Sequence, residues 1–97
     1  MKIAIASDSK GEDSSIYAQA GRTPYFQIIE DGKIVDVLPN PFAVGGGGAG
    51  LAVTRMLSER GVNKIVAGQI GPKMLMALEQ ADIEIEQIQG KVSDYLK

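Results

Sequence analysis

The sequence contains no cysteine, no histidine and no tryptophan. Without cysteine, the chain cannot form a disulfide, supply a thiolate nucleophile or hold a thiolate-ligated zinc or iron–sulfur site. Without histidine, it lacks the most common general base and the most common metal ligand. A bound metal ion would have to be a hard cation with oxygen ligands from Asp, Glu or backbone carbonyls. We therefore expect a non-catalytic protein.

Long apolar runs and an excess of positive charge are also missing. No stretch approaches the roughly 20 apolar residues of a membrane-spanning helix, so no membrane partner is expected. The net charge of -2 and the isoelectric point near 5.0 disfavour a nucleic-acid surface, which needs a basic patch. The opening residues 1–6 are too short for a signal peptide and predict a buried strand of a cytoplasmic protein. A chain of 97 residues predicts a single domain over residues 1–97.

The apolar periodicity predicts an α/β fold with a mixed sheet. Asp31-Gly32 between two strand-like runs is the strongest short hairpin signal, so the second and third strands should be antiparallel. Apolar residues at helical spacing follow the third and the fourth strand, and right-handed crossovers then place helices on the sheet. The predicted strands are residues 2–6, 25–30, 33–38, 64–67 and 83–86. The sheet order is 3-2-1-4-5 with strand 2 antiparallel, a ribonuclease H-like three-layer α/β/α architecture with a short closing helix near Val92.

Glycine is concentrated in residues 39–50, where five of twelve positions are glycine. Glycine costs conformational entropy, so the cluster suggests a close approach of the backbone to something, such as a ligand. A solvated loop is the alternative. The cluster is not a Walker motif, because Leu51 follows Gly50 where that motif has lysine. A dinucleotide fingerprint fits only weakly, since no acidic residue closes the following strand.

The predicted topology brings several glycine-bearing turns to one rim, at the carboxyl ends of the strands. Neither main helix has Ser, Thr, Asp or Asn at its expected start, so water or an anion would cap the free N–H groups. We predict a site for a negatively charged ligand on this rim. The candidate ligand-binding residues are Asp8, Gly21, Arg22, Gly45, Gly46, Gly47, Gly48, Gly50, Gly68, Gln69, Gly71 and Lys73.

Several of these residues have simpler interpretations. An Asp directly after a strand, as Asp8 is, commonly caps a turn, whereas a metal-dependent enzyme would need further carboxylates beside it. Arg22 is either an anion ligand or an ordinary surface residue. Tyr25 and Phe42 near the rim would suit a module that binds another protein.

Four stretches of the chain resemble the dinitrogenase iron–molybdenum cofactor biosynthesis family in order and spacing. They are the start through Asp8, residues 21–26, Asn40-Pro41-Phe42 with the following glycines, and residues 67–72. The resemblance spans nearly the entire chain. It implies a ribonuclease H-like fold in a cytoplasmic prokaryotic protein. Members of the family include carriers of nitrogenase cofactor or of its iron–sulfur precursor, and these two metalloclusters are the cargo that the resemblance implies.

The sequence departs from the family at two places. The family often has His-Phe where Gln19-Ala20 stand here, and often has His within the glycine loop. Those histidines are candidate cluster ligands in the carriers. The glycine framework and Arg22 carry over, and could hold an anionic cluster or its organic acid. Three hypotheses stay open: a carrier of an anionic small molecule or metallocluster, a protein-interaction module, and a carboxylate–metal enzyme using Asp8.

Overall fold

The computed structural model describes residues 1–44 and 49–97, and these residues form one five-stranded mixed sheet. The strands are β1 (Lys2–Ser7), β2 (Tyr25–Glu30), β3 (Lys33–Pro39), β4 (Lys64–Ala67) and β5 (Glu84–Gln87). Their order is β3-β2-β1-β4-β5. Strand β2 is antiparallel to both neighbours, while β4 is parallel to β1 and to β5. The predicted order and directions are confirmed.

Two α-helices, α1 (Ala49–Glu59) and α2 (Pro72–Gln80), pack on the same face of the sheet. Their apolar residues recur at helical spacing and enter one core with the alternate residues of the strands. The opposite face is covered by a 3-10 helix, Val92–Tyr95, whose Val92 packs in a second, smaller core. The third layer of the predicted architecture is thus one short helical turn. No helix among the described residues is both long and apolar enough to cross a bilayer.

Positive backbone φ angles close the hairpin and end α1. Asp31 and Gly32 have φ of 55° and 77°, the conformation of a tight two-residue turn, and this confirms the predicted hairpin. Gly61, with φ of 73°, follows the end of α1, where the N–H of Val62 donates to the carbonyl of Leu57 at 3.1 Å. Gly61 thus ends α1 in the conformation common at helix C-termini.

Residues 15–20 form a crossing segment that lies beyond the ends of β1 and β4. The N–H of Tyr17 donates to the carbonyl of Ala6 in β1 at 2.8 Å. Its carbonyl accepts from the N–H of Gly68, directly after β4, at 2.9 Å. A Cβ at Gly68 would lie 2.8 Å from the Cα of Ala18, closer than real side chains come. The crossing segment therefore depends on glycine at position 68.

A buried amide fixes the loop that precedes the crossing segment. The Nε2 of Gln27, in β2, lies within 3.2 Å of four oxygen atoms, two from backbone carbonyls and two from hydroxyls. The shortest of these hydrogen bonds, 2.8 Å, joins it to the carbonyl of Gly11. Gln27 itself is fully buried, so its amide nitrogen depends on these protein oxygens and not on water. One side chain thus positions the loop after β1.

The 3-10 helix is attached to the sheet by a small polar network. The hydroxyl of Tyr95 donates to Oε1 of Glu86 at 2.8 Å, and the ammonium of Lys64 lies 3.1 Å from the same oxygen. These two hydrogen bonds, the one from Tyr95 first, lower the pKa of Glu86 below its ordinary value of 4.5. Burial, followed by the bond to Glu86, raises the pKa of Tyr95. The network therefore favours an ionised Glu86 and a protonated Tyr95.

Substitution of Tyr95 by Phe should reduce stability more at about pH 7 than at about pH 3. A carboxylate whose pKa is lower in the folded state stabilises the fold above its unfolded pKa. That contribution disappears as the pH falls through the folded-state value, so the cost of the substitution should shrink in acid. Urea unfolding of both proteins at the two pH values measures it.

Tyr17→Phe is the matched control, because the Tyr17 hydroxyl has no hydrogen-bond partner among the residues that the structure describes. Its effect should not depend on pH. An equal loss for Tyr95→Phe at both pH values would show that the bond to ionised Glu86 does not stabilise the fold.

Candidate functional site

Two neighbouring cavities open near the edge of the sheet where the parallel strands end. The larger, about 690 Å³, extends from the start of α1 along the length of α2, and its lining includes Gly21, Gly50 and Lys73. The smaller, about 400 Å³, is lined by Gly21, Arg22 and neighbouring residues of the turn before α2. The two cavities share Gly21, Gly71 and Pro72. They are therefore parts of one surface, which we call the rim.

The N-terminus of α2 reaches the rim without a capping side chain. Gly71 is the N-cap residue and Pro72 occupies the first helical position, where its missing N–H is harmless. The N–H groups of Lys73 and Met74 follow, and within the described residues no acceptor is found for either. The first turn of a helix carries about half a positive charge. This end of α2 therefore presents backbone donors and positive potential.

Two rim glycines are not required by the packing of the protein itself. A Cβ added at Gly21 or at Gly71 would meet no atom of the described residues within 4 Å. Neither residue has a positive φ, so their backbone conformations are open to other residues. Gly50 differs, because a Cβ there would lie 2.8 Å from that of Met74. Gly50 thus allows the close approach of the two helices, whereas Gly21 and Gly71 leave the rim's backbone exposed to the cavities.

Asn40 joins the two polypeptide segments that border the rim. Its Nδ2 donates to the carbonyls of Gly21, at 3.2 Å, and Thr23, at 2.9 Å. Its Oδ1 accepts from the N–H of Phe42 at 3.0 Å. The guanidinium of Arg22 lies nearby and donates to the carbonyl of Ala43 at 3.4 Å. Sequence reasoning missed Asn40 as a site residue, although an Asn before Pro is a turn signal that could have directed attention to it.

Some predicted site residues have other contacts. Oδ1 of Asp8 accepts from the N–H of Ser15 and from the hydroxyl of Ser9, both at 3.1 Å, and Asp8 lines neither rim cavity. Asp8 therefore caps the turn after β1. Gly68 packs against the crossing segment, while Gln69 lines the smaller cavity. The predictions for Gly45, Gly46, Gly47 and Gly48 lie outside the described residues.

The groups at the rim are hydrogen-bond donors and cations. Within residues 1–44 and 49–97, no group of three or more acidic side chains is arranged to hold a metal ion. Among the described residues that line the two cavities, Arg22 and Lys73 are the charged ones. N–H, guanidinium and ammonium groups match the oxygen atoms of an anion, whereas they offer no electron pair to iron. The donor set thus fits an anion and does not fit direct ligation of iron.

These features define a small α/β domain with a donor-lined rim, and comparison with known proteins identifies its family. The sequence model of the dinitrogenase iron-molybdenum cofactor family matches residues 1–97. The chain belongs to that family, as its sequence motifs predicted. Among curated proteins, none matches its sequence significantly.

Solved structures share the fold. The apo form of the orange protein from Desulfovibrio gigas superimposes with a TM-score of 0.88 at 25% identity, over 96% of this chain and 81% of that protein. A NifB-like protein of the DUF35 family from Thermotoga, solved by NMR, superimposes with a TM-score of 0.81 at 26% identity, over 97% of this chain and 82% of that one. The fold predicted from the sequence is therefore shared with proteins of this group.

Replacing Asn40 by Asp should destabilise the protein by roughly 1–3 kcal/mol. The substitution exchanges the Nδ2 donor for an oxygen that faces two carbonyls, while the acceptor for Phe42 remains. Asn40 is only 7% exposed, so water cannot fully compensate. Guanidinium unfolding gives the change in free energy.

Asn63→Asp is the control, because Oδ1 is the one atom of the Asn63 side chain with a hydrogen-bond partner among the described residues. It accepts from the N–H of Lys2 at 2.8 Å. Asp keeps this acceptor, so little change is expected. If the two variants are equally stable, the hydrogen bonds of the Asn40 amide do not stabilise the fold.

Proposed function

We propose that this chain is a non-catalytic carrier that binds an anionic small molecule or metallocluster at the rim. The groups that would hold the cargo are the first N–H groups of α2, the exposed backbone at Gly21 and Gly71, and the side chains of Arg22 and Lys73. We expect it to act in the cytoplasm, where a chain without cysteine is insensitive to the reducing environment.

The observation that carries this proposal is the uncapped start of α2 opening onto a cavity. The N-cap residue, Gly71, has no side chain that could cap the helix. Lys73, in the first turn, lines the larger cavity. No carboxylate of the described residues lies within ion-pair distance of the Lys73 ammonium. An anion seated there would accept bonds from backbone and side chain together, and the helix N-terminus would add to the attraction.

Family membership supports a carrier function and also limits how a metallocluster could be held. The family is named for the iron–molybdenum cofactor of dinitrogenase. This chain has neither histidine nor cysteine, the usual protein ligands of such clusters. A cluster would therefore be held through anionic groups at its periphery, by the same N–H and cationic donors that suit a simple anion.

Phosphate or citrate should raise the melting temperature of the protein when ionic strength is held constant with chloride. A ligand at 100 times its Kd stabilises a protein by about 2.7 kcal/mol, which raises the melting temperature of a domain of this size by roughly 11–22 °C. Arg22→Gln and Lys73→Gln should each lose at least half of the rise, because each removes a charge at the rim.

Lys33→Gln is the charge-matched control, since Lys33 is exposed in β3 and lines neither rim cavity. It should keep the full rise. The proposal fails if neither anion stabilises the wild type beyond chloride, or if Lys73→Gln and Lys33→Gln respond equally.

Exposed apolar side chains near the rim favour protein binding as a second candidate function. Val44 is 91% exposed, and Phe42 is also exposed. Both flank Ala43, whose carbonyl accepts from Arg22, so they border the rim. Aromatic and apolar residues beside arginine are typical of protein interfaces. If no anion stabilises the protein, this is the function that the structure supports next.

A further inference from the structure

The larger rim cavity has an apolar wall that an inorganic anion would not use. We propose that the ligand of this site is an amphiphilic organic anion, with its acidic group at Lys73 and its apolar body between α1 and α2. This inference rests on the proposed anion site and names the chemical class of its ligand. A volume of about 690 Å³ is in the range of pockets that hold small organic molecules.

The wall is formed by side chains that folding does not bury. Leu51 in α1 and Met76 in α2 line the cavity, although they are 58% and 62% exposed. The two helices contribute other residues to the hydrophobic core, among them Val53 and Leu78. Exposed apolar side chains that converge on one concave surface indicate a binding site more than isolated ones do.

The position of the wall follows from the close approach of the two helices. Gly50 lets α1 approach Met74, which leaves Leu51 and Met76 on either side of the cavity. Met76 lies one helical turn after Lys73, so both side chains are on one side of α2. A ligand that contacts Lys73 with its acidic group would place its body along Met76.

Charge selects which apolar ligand suits the cavity. Lys73 is the one charged residue among the described lining residues of the larger cavity, and Arg22 lines the smaller cavity beside it. No acidic side chain of the described residues lines either cavity. A neutral apolar molecule would give the ammonium of Lys73 no counter-charge, and a small inorganic anion would leave the wall hydrated. An acid with an apolar body satisfies both parts.

Straight-chain carboxylates from butyrate to octanoate test the inference, with binding measured by calorimetry. Affinity should rise by about fourfold for each added methylene that the wall buries. Leu51→Gln and Met76→Gln should flatten this dependence on chain length. Lys73→Gln should weaken every acid by a similar factor and leave the chain-length dependence unchanged. Amide chemical shifts of Gly71 and Lys73 should move on binding.

Val35→Thr is the control for the wall, because Val35 is an exposed apolar residue of the edge strand β3 and lines neither cavity. It should leave the chain-length dependence intact. Octanol, which lacks the acidic group, should bind much more weakly than octanoate.

Three results would overturn the inference. If phosphate or citrate stabilises the protein but chain length has no effect, the anion site stands and the apolar wall is not part of it. If octanol binds as well as octanoate, the site does not select an acid. If Leu51→Gln and Met76→Gln instead abolish self-association in sedimentation velocity, the wall is a contact between two copies of the chain.

Discussion

The crossing segment, residues 15–20, is the constraint on which the rest of the rim depends. It occupies the space beyond β1 and β4 and forms backbone hydrogen bonds with β1 and with the turn that follows β4. Parallel strands in an open sheet commonly leave a ligand crevice at their carboxyl ends. Here that place is filled by the protein's own backbone, held by the N–H of Gly68 and of Gln69. The cavities are therefore displaced toward the start of α2.

The crossing segment also contributes to the rim, because it leads directly to Gly21 and Arg22. It leads into the 3-10 helix Ala20–Arg22, so the position of Arg22 is set by the bonds between the crossing segment and the turn after β4. Asn40 then fixes the other side of this helix through the carbonyls of Gly21 and Thr23. The surface is thus built from backbone held on both sides, which suits recognition by N–H groups.

The chemistry of the rim is consistent with the lack of cysteine and histidine, the residues that usually ligate metalloclusters. Proteins usually ligate iron–sulfur clusters through thiolate or imidazole, and the sequence has neither cysteine nor histidine. A rim of amides and cations has donors that match the oxygen atoms of an anion. The exposed apolar side chains of Leu51 and Met76 also line the larger cavity, and binding of a purely inorganic anion would not require them.

The core and the sheet were predictable because their signals are local. Alternating Ile3 and Ile5, the Asp31-Gly32 turn and the helical spacing of Val53 and Leu57 each identify an element. Chirality of the crossovers then leaves few possible sheet orders. The third layer could not be foreseen as a single 3-10 turn, because its Val92 is buried only through packing on the far face of the sheet.

By itself, the sequence determined the order and direction of the strands, the absence of cysteine and histidine, and the family. The tertiary structure alone decided which polar groups face solvent at the rim. Asp8 and Gly68 look like site residues in sequence, yet one caps a turn and the other packs on Ala18. Asn40 looks like a turn residue, yet it connects two distant segments. Those contacts join residues that are far apart in the chain, so local sequence patterns do not predict them.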